Sequence, residues 1–366
     1  MRARLRDLDI ITGLLPPGPL NAITDVEGVR VGYSNIQRDE RTNVRTGVTA
    51  IWPGGNEIFT NPIFAGAHSF NGNGEMTGMA WLAEQGLLSA PVCITNTNSV
   101  GVVRDAVCEL AVRENAPQSW HLPVVGETCD GVLYDPRRFD ITRETAFEAL
   151  DSATAGPVRE GNVGGGAGMI AHGFKGGTGT ASRVVEDHGE HYTVGALAQA
   201  NYGTRELFRV NGVPVGRHIG PDVVPLHQTP SKESGSIIVV LATDAPLLPI
   251  QCQRLARRAT VGLAWVGGIG GNGSGDIFMA FSTANQIVYD GRVHDVRMVG
   301  PDAMTPLFQA AAEATEEAIL NALCMAETMT GYKGNTAHAI PLDLLKQVMS
   351  QAEIYRQGPL SLHPRR

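Results

Sequence analysis

Apolar positions in this chain recur with two periods, and stretches of each kind alternate from end to end. Three- and four-residue spacing predicts helices over Glu75–Gln85, Ser99–Glu114, Arg143–Ser152, Pro246–Val266, Thr305–Thr328 and Leu342–Ala352. The fourth is the most strongly patterned. Leu248, Cys252, Leu255, Ala259, Gly262 and Val266 fall on one face, while Arg254, Arg257 and Arg258 fall off it. Asp244 is placed to cap that helix, and Pro246 to sit in its first turn. β-branched and alternating runs predict strands over Gly47–Trp52, Val92–Thr95, Leu122–Val125, Met169–Phe174, Tyr192–Gln199, Ser236–Thr243 and Asp276–Phe281. The run SIIVVLAT is apolar at every interior position, so both of its faces must be covered. Sheets inside and helices outside give an α/β sandwich.

Composition adds limits. The 366 residues suffice for a large core, and 43% hydrophobic with 18% charged residues describes a globular chain. A net charge of −8 argues against a nucleic-acid partner held through phosphates. No apolar run approaches membrane-spanning length, and Asp7 and Asp9 interrupt the start of the chain, so no signal peptide is expected. The five cysteines (Cys93, Cys108, Cys129, Cys252 and Cys324) show no C-x-x-C spacing, which points away from a zinc site or a disulfide framework. A cytoplasmic protein is the expectation. No Pro/Gly/Ser linker divides the chain, and the least structured interior stretch, Arg217–Gly235, ends where SIIVVLAT begins.

Two glycine-rich runs invite a nucleotide reading and fail it. Residues 268–273, GIGGNG, satisfy G-x-G-x-x-G, but a predicted helix precedes them and a strand follows, the reverse of the required order. Gly168 and Gly173 have P-loop spacing, with Phe174 where lysine is needed. The pair His188 and His191 reads as a solvated turn, and no G-x-S-x-G elbow is present. Ser236 offers different chemistry. A serine after glycine can attack the preceding carbonyl in an N→O acyl shift, and hydrolysis of the ester leaves it with a free α-amine. That amine, with a pKa near ~8, can act as the base for its own hydroxyl. The same Gly-Ser pair is also an ordinary way into a strand.

An ordered series of segments bears on that choice by likeness. NAITDVEGVRVGYSN, RTGVTAIWP, NGNGEMTGMAWLAEQGLLSAPVCITNTNSVG, GETCDGVLYD, EGNVGGGAGMIAHGFKGGTGTASR, ALAQANYGTRELFRVNGVPVG, SGSIIVVLATDAPL and GGNGSGDIFMAFST run from about residue 20 to 285. Together they resemble the self-processing serine aminopeptidases of the DmpA and BapA type, which comprise L-aminopeptidase/D-amidases and β-peptidyl aminopeptidases.

The resemblance implies a four-layer αββα sandwich like that of N-terminal nucleophile hydrolases, with its own strand connectivity. It implies one domain over 1–366, cut between Gly235 and Ser236 into an α-chain (1–235) and a β-chain (236–366). The chains would stay associated, in a homo-oligomer of such heterodimers. The activity implied is removal of the N-terminal residue from short peptides, amides or esters with a free amine, without metal or cofactor. Ser236 matches the nucleophile and Asn201 the oxyanion donor. Ser274 and Asp276 match the hydroxyl and carboxylate beside the nucleophile, and Glu127 the acceptor of the substrate ammonium. Cys129 stands where relatives carry an aromatic, so the substrate pocket is expected to differ there. Two further readings fit the same fold: an amidase of ω-amino amide oligomers, and a non-catalytic small-molecule-binding relative.

Overall fold

The structure is a computed structural model, and it describes residues 2–39, 42–187, 189–227 and 235–357. The strands in chain order are β1 (Arg30–Arg38), β2 (Val44–Trp52), β3 (Ile63–Ser69), β4 (Leu87–Leu88), β5 (Val92–Asn96), β6 (Val125–Thr128) and β7 (Ile170–Ala171). They continue with β8 (Phe174–Lys175), β9 (Gly177–Asp187), β10 (Glu190–Asn201), β11 (Ser236–Thr243), β12 (Gly275–Gln286), β13 (Met329–Thr330) and β14 (Thr336–Ala337). The helices are α1 (Met79–Gln85), α2 (Val100–Arg113), α3 (Arg143–Asp151), α4 (Val215–His218), α5 (Pro249–Ala256), α6 (Ala259–Val266), α7 (Met304–Met325) and α8 (Leu342–Gln357).

Two sheets lie face to face, one ordered β1-β2-β5-β6 and the other β4-β3-β12-β11-β10-β9. Helices α2 and α3 cover the smaller sheet, and α5 and α7 cover the larger. The expected αββα layering is therefore present. Strand β11 shows why both faces had to be apolar. Ile238, Val240 and Ala242 join a core shared with Val48, Ile94 and Val125 of the other sheet. Ile237, Val239 and Leu241 join a second core with Leu255, Leu263 and Leu307 of the helical layer. Burying each of the larger side chains contributes roughly 1.5–3 kcal/mol.

Several predicted elements change. The predicted helix over Pro246–Val266 is two helices, α5 and α6, broken at Arg257 and Arg258. Its apolar face is buried as expected, but α5 lies on β3 and β12 while α6 packs on α7. One straight rod cannot serve both surfaces. Asp244 caps neither helix, since its carboxylate takes the Thr193 N–H at 2.7 Å. Gln251 receives the Leu248 N–H instead, and Pro249, not Pro246, opens the first turn. Helix α1 begins at Met79, four residues late, because Gly78 has φ +73° and residues 75–78 belong to a loop.

The strand expected at Leu122–Val125 lies three residues on, at β6. Met169–Phe174 is no single strand but the hairpin of β7 and β8, turned at His172 (φ +49°) and Gly173 (φ +70°). Strands β1, β3 and β9 have no counterpart in the predicted set. Strand β9 hid behind polar residues that are buried with partners: Arg183 reaches Glu313 at 3.1 Å and Glu317 at 2.7 Å on α7. His191 sits at the exposed start of β10, whereas His188 lies outside the described residues. So do residues 228–234, the later part of the stretch Arg217–Gly235. Among the described residues no helix is long and apolar enough to cross a membrane, and the five cysteines are unpaired.

Candidate active site

Ser236 opens β11, where it pairs with Asn201 of β10 on one side and Gly275 of β12 on the other. Strand alternation sorts the neighbours. Asn201 shares the face of Ser236, toward the smaller sheet, with Gln199 and Leu197. Asp276 pairs with Ile237 and so lies on the opposite face, with Tyr202. The Ser236 backbone nitrogen lies in the plane of the sheet, between the two sets. A cavity of about 740 Å³ opens over this strand end and is lined by all five of these groups: Ser236, Asn201, Ser274, Asp276 and Glu127. The structure thus brings together every residue that the motifs singled out, Gly235 and Cys129 included.

Gly235 leaves no room for a side chain. A Cβ there would lie 2.7 Å from Tyr202 Cα and 2.8 Å from the Asn201 carbonyl oxygen. Its own carbonyl accepts the Gly275 N–H at 3.2 Å. Further back along the chain, the stretch 219–224 is anchored by Arg205. That buried guanidinium donates to the carbonyls of His172, Gly173, Ile219 and Val224 and stacks on Phe174. Burial among carbonyls, without a carboxylate, lowers its pKa to about 10. Leu226 and His227, just past the anchored stretch, line the cavity.

The Asn201 amide is fixed at both ends. Its Oδ1 accepts the Ile170 N–H at 2.9 Å, and its Nδ2 donates to the Cys129 carbonyl at 2.9 Å. One amide N–H is left for a further acceptor. The anchor at position 129 is a backbone atom, so a cysteine serves it as well as an aromatic would. Cys129 lines the cavity, and its thiol pKa is raised, chiefly by desolvation.

Ser274 Oγ donates to Asp276 Oδ1 at 2.6 Å. Asn71 takes the Asp276 N–H at 2.6 Å and gives Nδ2 to Asp276 Oδ2 at 3.2 Å. Burial raises the Asp276 pKa, partly offset by the Ser274, Asn71 and Ile237 donors. Glu127 is not a solvated loop residue. It sits on β6 and is 3% exposed. A Cβ on neighbouring Gly126 would touch Ile238 at 3.2 Å, so glycine there lets β6 cross close over β11. Glu127 Oε1 accepts the Glu75 N–H at 2.9 Å, and Oε2 accepts the Thr97 hydroxyl. Desolvation raises its pKa against those two donors.

Asn71, Thr97 and the Gly275 N–H escaped the sequence reading. Asn71 and Thr97 stand within matched segments, but nothing in one sequence shows which acid each one meets.

A hydroxyl at a strand start beside its own backbone nitrogen, with an amide donor and two held carboxylates around it, is the equipment of acyl transfer by a nucleophile of the N-terminal type. The model of peptidase family S58 matches residues 21–337. The β-peptidyl aminopeptidase BapA of Sphingosinicella microcystinivorans is 48% identical over 367 residues, covering 95% of this chain and 92% of that one. Among solved structures, a Burkholderia sp. β-aminopeptidase aligns with TM-score 0.88 and 46% identity, over 95% of this chain and 99% of its own. The L-aminopeptidase D-Ala-esterase/amidase of Ochrobactrum anthropi aligns with TM-score 0.87 and 44% identity, over 96% of this chain and 99% of its own. That structure is described as a prototype of the serine aminopeptidases and a variant of the Ntn hydrolase fold. Fold and site define a serine aminopeptidase. The chain belongs to peptidase family S58.

Proposed function

We propose that this chain cuts itself between Gly235 and Ser236 and then removes the N-terminal residue from short peptides, amides or esters, β-peptides among them. The observation that carries the reading is the meeting of Ser236, Asn201, Ser274, Asp276 and Glu127 in one cavity. In the first reaction Ser236 Oγ attacks the Gly235 carbonyl carbon, and the C–N bond breaks as the Ser236 nitrogen takes the proton. The Gly275 N–H already on that carbonyl favours the attack. Water then hydrolyses the ester, leaving a Gly235 carboxylate and a free Ser236 amine.

In turnover, Glu127 receives the substrate ammonium, which makes an unblocked amine a requirement. The Ser236 amine takes the proton from its own Oγ, which attacks the substrate carbonyl. The remaining Asn201 N–H donates to the oxyanion, a contact worth about 10²–10³ in rate in comparable sites. The amine proton passes to the leaving group, and water releases the acid. Ser274 and Asp276, on the far face of the sheet, hold the ammonium form of the Ser236 amine while it carries the proton.

β-Peptidyl specificity is supported by what the relatives are named for acting on. The reading also includes α- and β-chains that remain together, a homo-oligomer of such pairs and a cytoplasmic location, which the unpaired cysteines suit. The test is a denaturing gel with N-terminal sequencing, followed by a panel of L-, D- and β-aminoacyl amides. Wild type should give two bands, the smaller beginning at Ser236, and Ser236→Ala should give one uncut, inactive chain. A Ser236→Ala protein that still splits at this bond would sink the mechanism.

A further inference from the structure

We propose that Asn71 is a positioning residue that fixes the carboxylate of Asp276 for its work on the Ser236 amine. The inference rests on the role given above to Ser274 and Asp276. Asn71 follows β3 in the loop 70–78 and grips Asp276 at two points: its Oδ1 takes the backbone N–H at 2.6 Å, and its Nδ2 meets Oδ2 at 3.2 Å. Nδ2 also reaches the Gly271 carbonyl at 3.1 Å, in the glycine-rich loop before Ser274. The Phe70 N–H donates to the Asp276 carbonyl at 2.9 Å. With Oδ2 held by Asn71, Oδ1 is turned to Ser274 at 2.6 Å. A two-carbon acid has little reach, so its rotamer decides whether it faces the amine.

The same loop serves the other carboxylate. Asn73 Nδ2 donates to the Gly273 carbonyl at 2.8 Å. Gly74 is wedged so that a Cβ would lie 3.1 Å from Glu127 Oε1 and 3.2 Å from Gly275 Cα. The Glu75 N–H then donates to Glu127. One short loop therefore sets the spacing between the acid beside the nucleophile and the acid that receives the substrate amine.

The groups facing the Asp276 carboxylate come from three elements besides its own strand. Besides the Ser274 hydroxyl just before that strand, they are Asn71 in the loop, the Ile237 N–H on β11, the Tyr202 phenol just past β10 and, once the chain is cut, the Ser236 amine. Asn71 supplies a donor that favours the ionised acid, so its removal raises the Asp276 pKa further. Activity that needs this ionised carboxylate then requires a higher pH.

The test compares Asn71→Ala and Asn71→Asp with wild type on a β-aminoacyl anilide, with kcat counted per processed chain and Ser236→Ala as the control. Asn71→Ala should lose about tenfold or more in kcat while KM stays within about twofold, and its acid limb should move to higher pH. Asn71→Asp keeps the acceptor for the Asp276 N–H but sets a second carboxylate against Oδ2. Its acid limb should move further, and it decides the matter if the alanine variant does not fold. A kcat and acid limb like wild type in the folded variants overturn the proposal, as does a fall in kcat with the pH profile unmoved. Hydrolysis by Ser236→Ala would instead overturn the reading of the site itself.

Discussion

Glu127 shows how a single side chain here acquires its chemistry from its neighbours. Burial disfavours its charge, and the Thr97 hydroxyl and the Glu75 N–H restore part of it. A carboxylate held in this way is ready for a cation that arrives with the substrate. Glu127→Gln should therefore lower kcat/KM for free-amine substrates by about 10–100-fold, the worth of a charged hydrogen bond, and leave self-cleavage intact. Steady-state kinetics and a processing gel measure the two effects separately. Equal loss of both would remove Glu127 from substrate binding. At this scale the sequence was informative about identity and silent about partners. Ser236, Asn201, Ser274, Asp276 and Glu127 were all named from motifs. Asn71 and Thr97 were not, because hydrogen bonds spanning 205 and 30 residues leave no mark on local spacing.

At the scale of elements, helix α7 and strand β9 are joined by buried charge. Arg183 is fully buried between Glu313 and Glu317, and Arg6 also reaches Glu317 at 2.8 Å. Desolvation pushes the Glu317 pKa up, but the hydrogen bond from Arg6 and the charge of Arg183 win and hold it below its ordinary value. Arg183→Leu should cost about 3–5 kcal/mol in denaturant unfolding, because two buried acids lose a partner. A folded pKa that is lowered adds stability above the unfolded value, and that stability fades as pH falls through the folded one. The deficit of the variant should accordingly be greatest near neutral pH and shrink on acidification, as Glu317 takes up its proton. A pH-independent deficit would mean that packing, not charge, binds the two elements. This pairing also explains why β9 was illegible. Its buried polar residues break the period-2 pattern that marks a strand, and their partners lie far along the chain. The single helix expected over α5 and α6 failed for a related reason: its apolar stripe is continuous, but its halves pack on different elements, α5 on β3 and β12 and α6 on α7.

In the whole molecule, β11 is one of the two central strands of the larger sheet. It pairs antiparallel with β10, which precedes the proposed cut, and parallel with β12, which follows it. Both cores take side chains from each side of the Gly235–Ser236 bond. The cut protein should thus behave as one cooperative unit. Both fragments should elute together in gel filtration, and the processed enzyme and uncut Ser236→Ala should each melt in a single transition. Separation of the fragments without denaturant would contradict this.

The sequence by itself determined the layered α/β architecture, the β11 span to the residue and the identities of the groups around Ser236. It could do so because burial on both faces and ordered motifs are written locally. Only the tertiary structure decided which face of the sheet each group occupies, that Asn201 keeps one N–H free, and that Asn71 and Thr97 hold the two acids. Those outcomes depend on strand register and on loops that close across the fold. Seen in the fold, Gly235 is glycine because the Asn201 carbonyl oxygen of β10 and the following Tyr202 Cα lie 2.8 and 2.7 Å from where its Cβ would be.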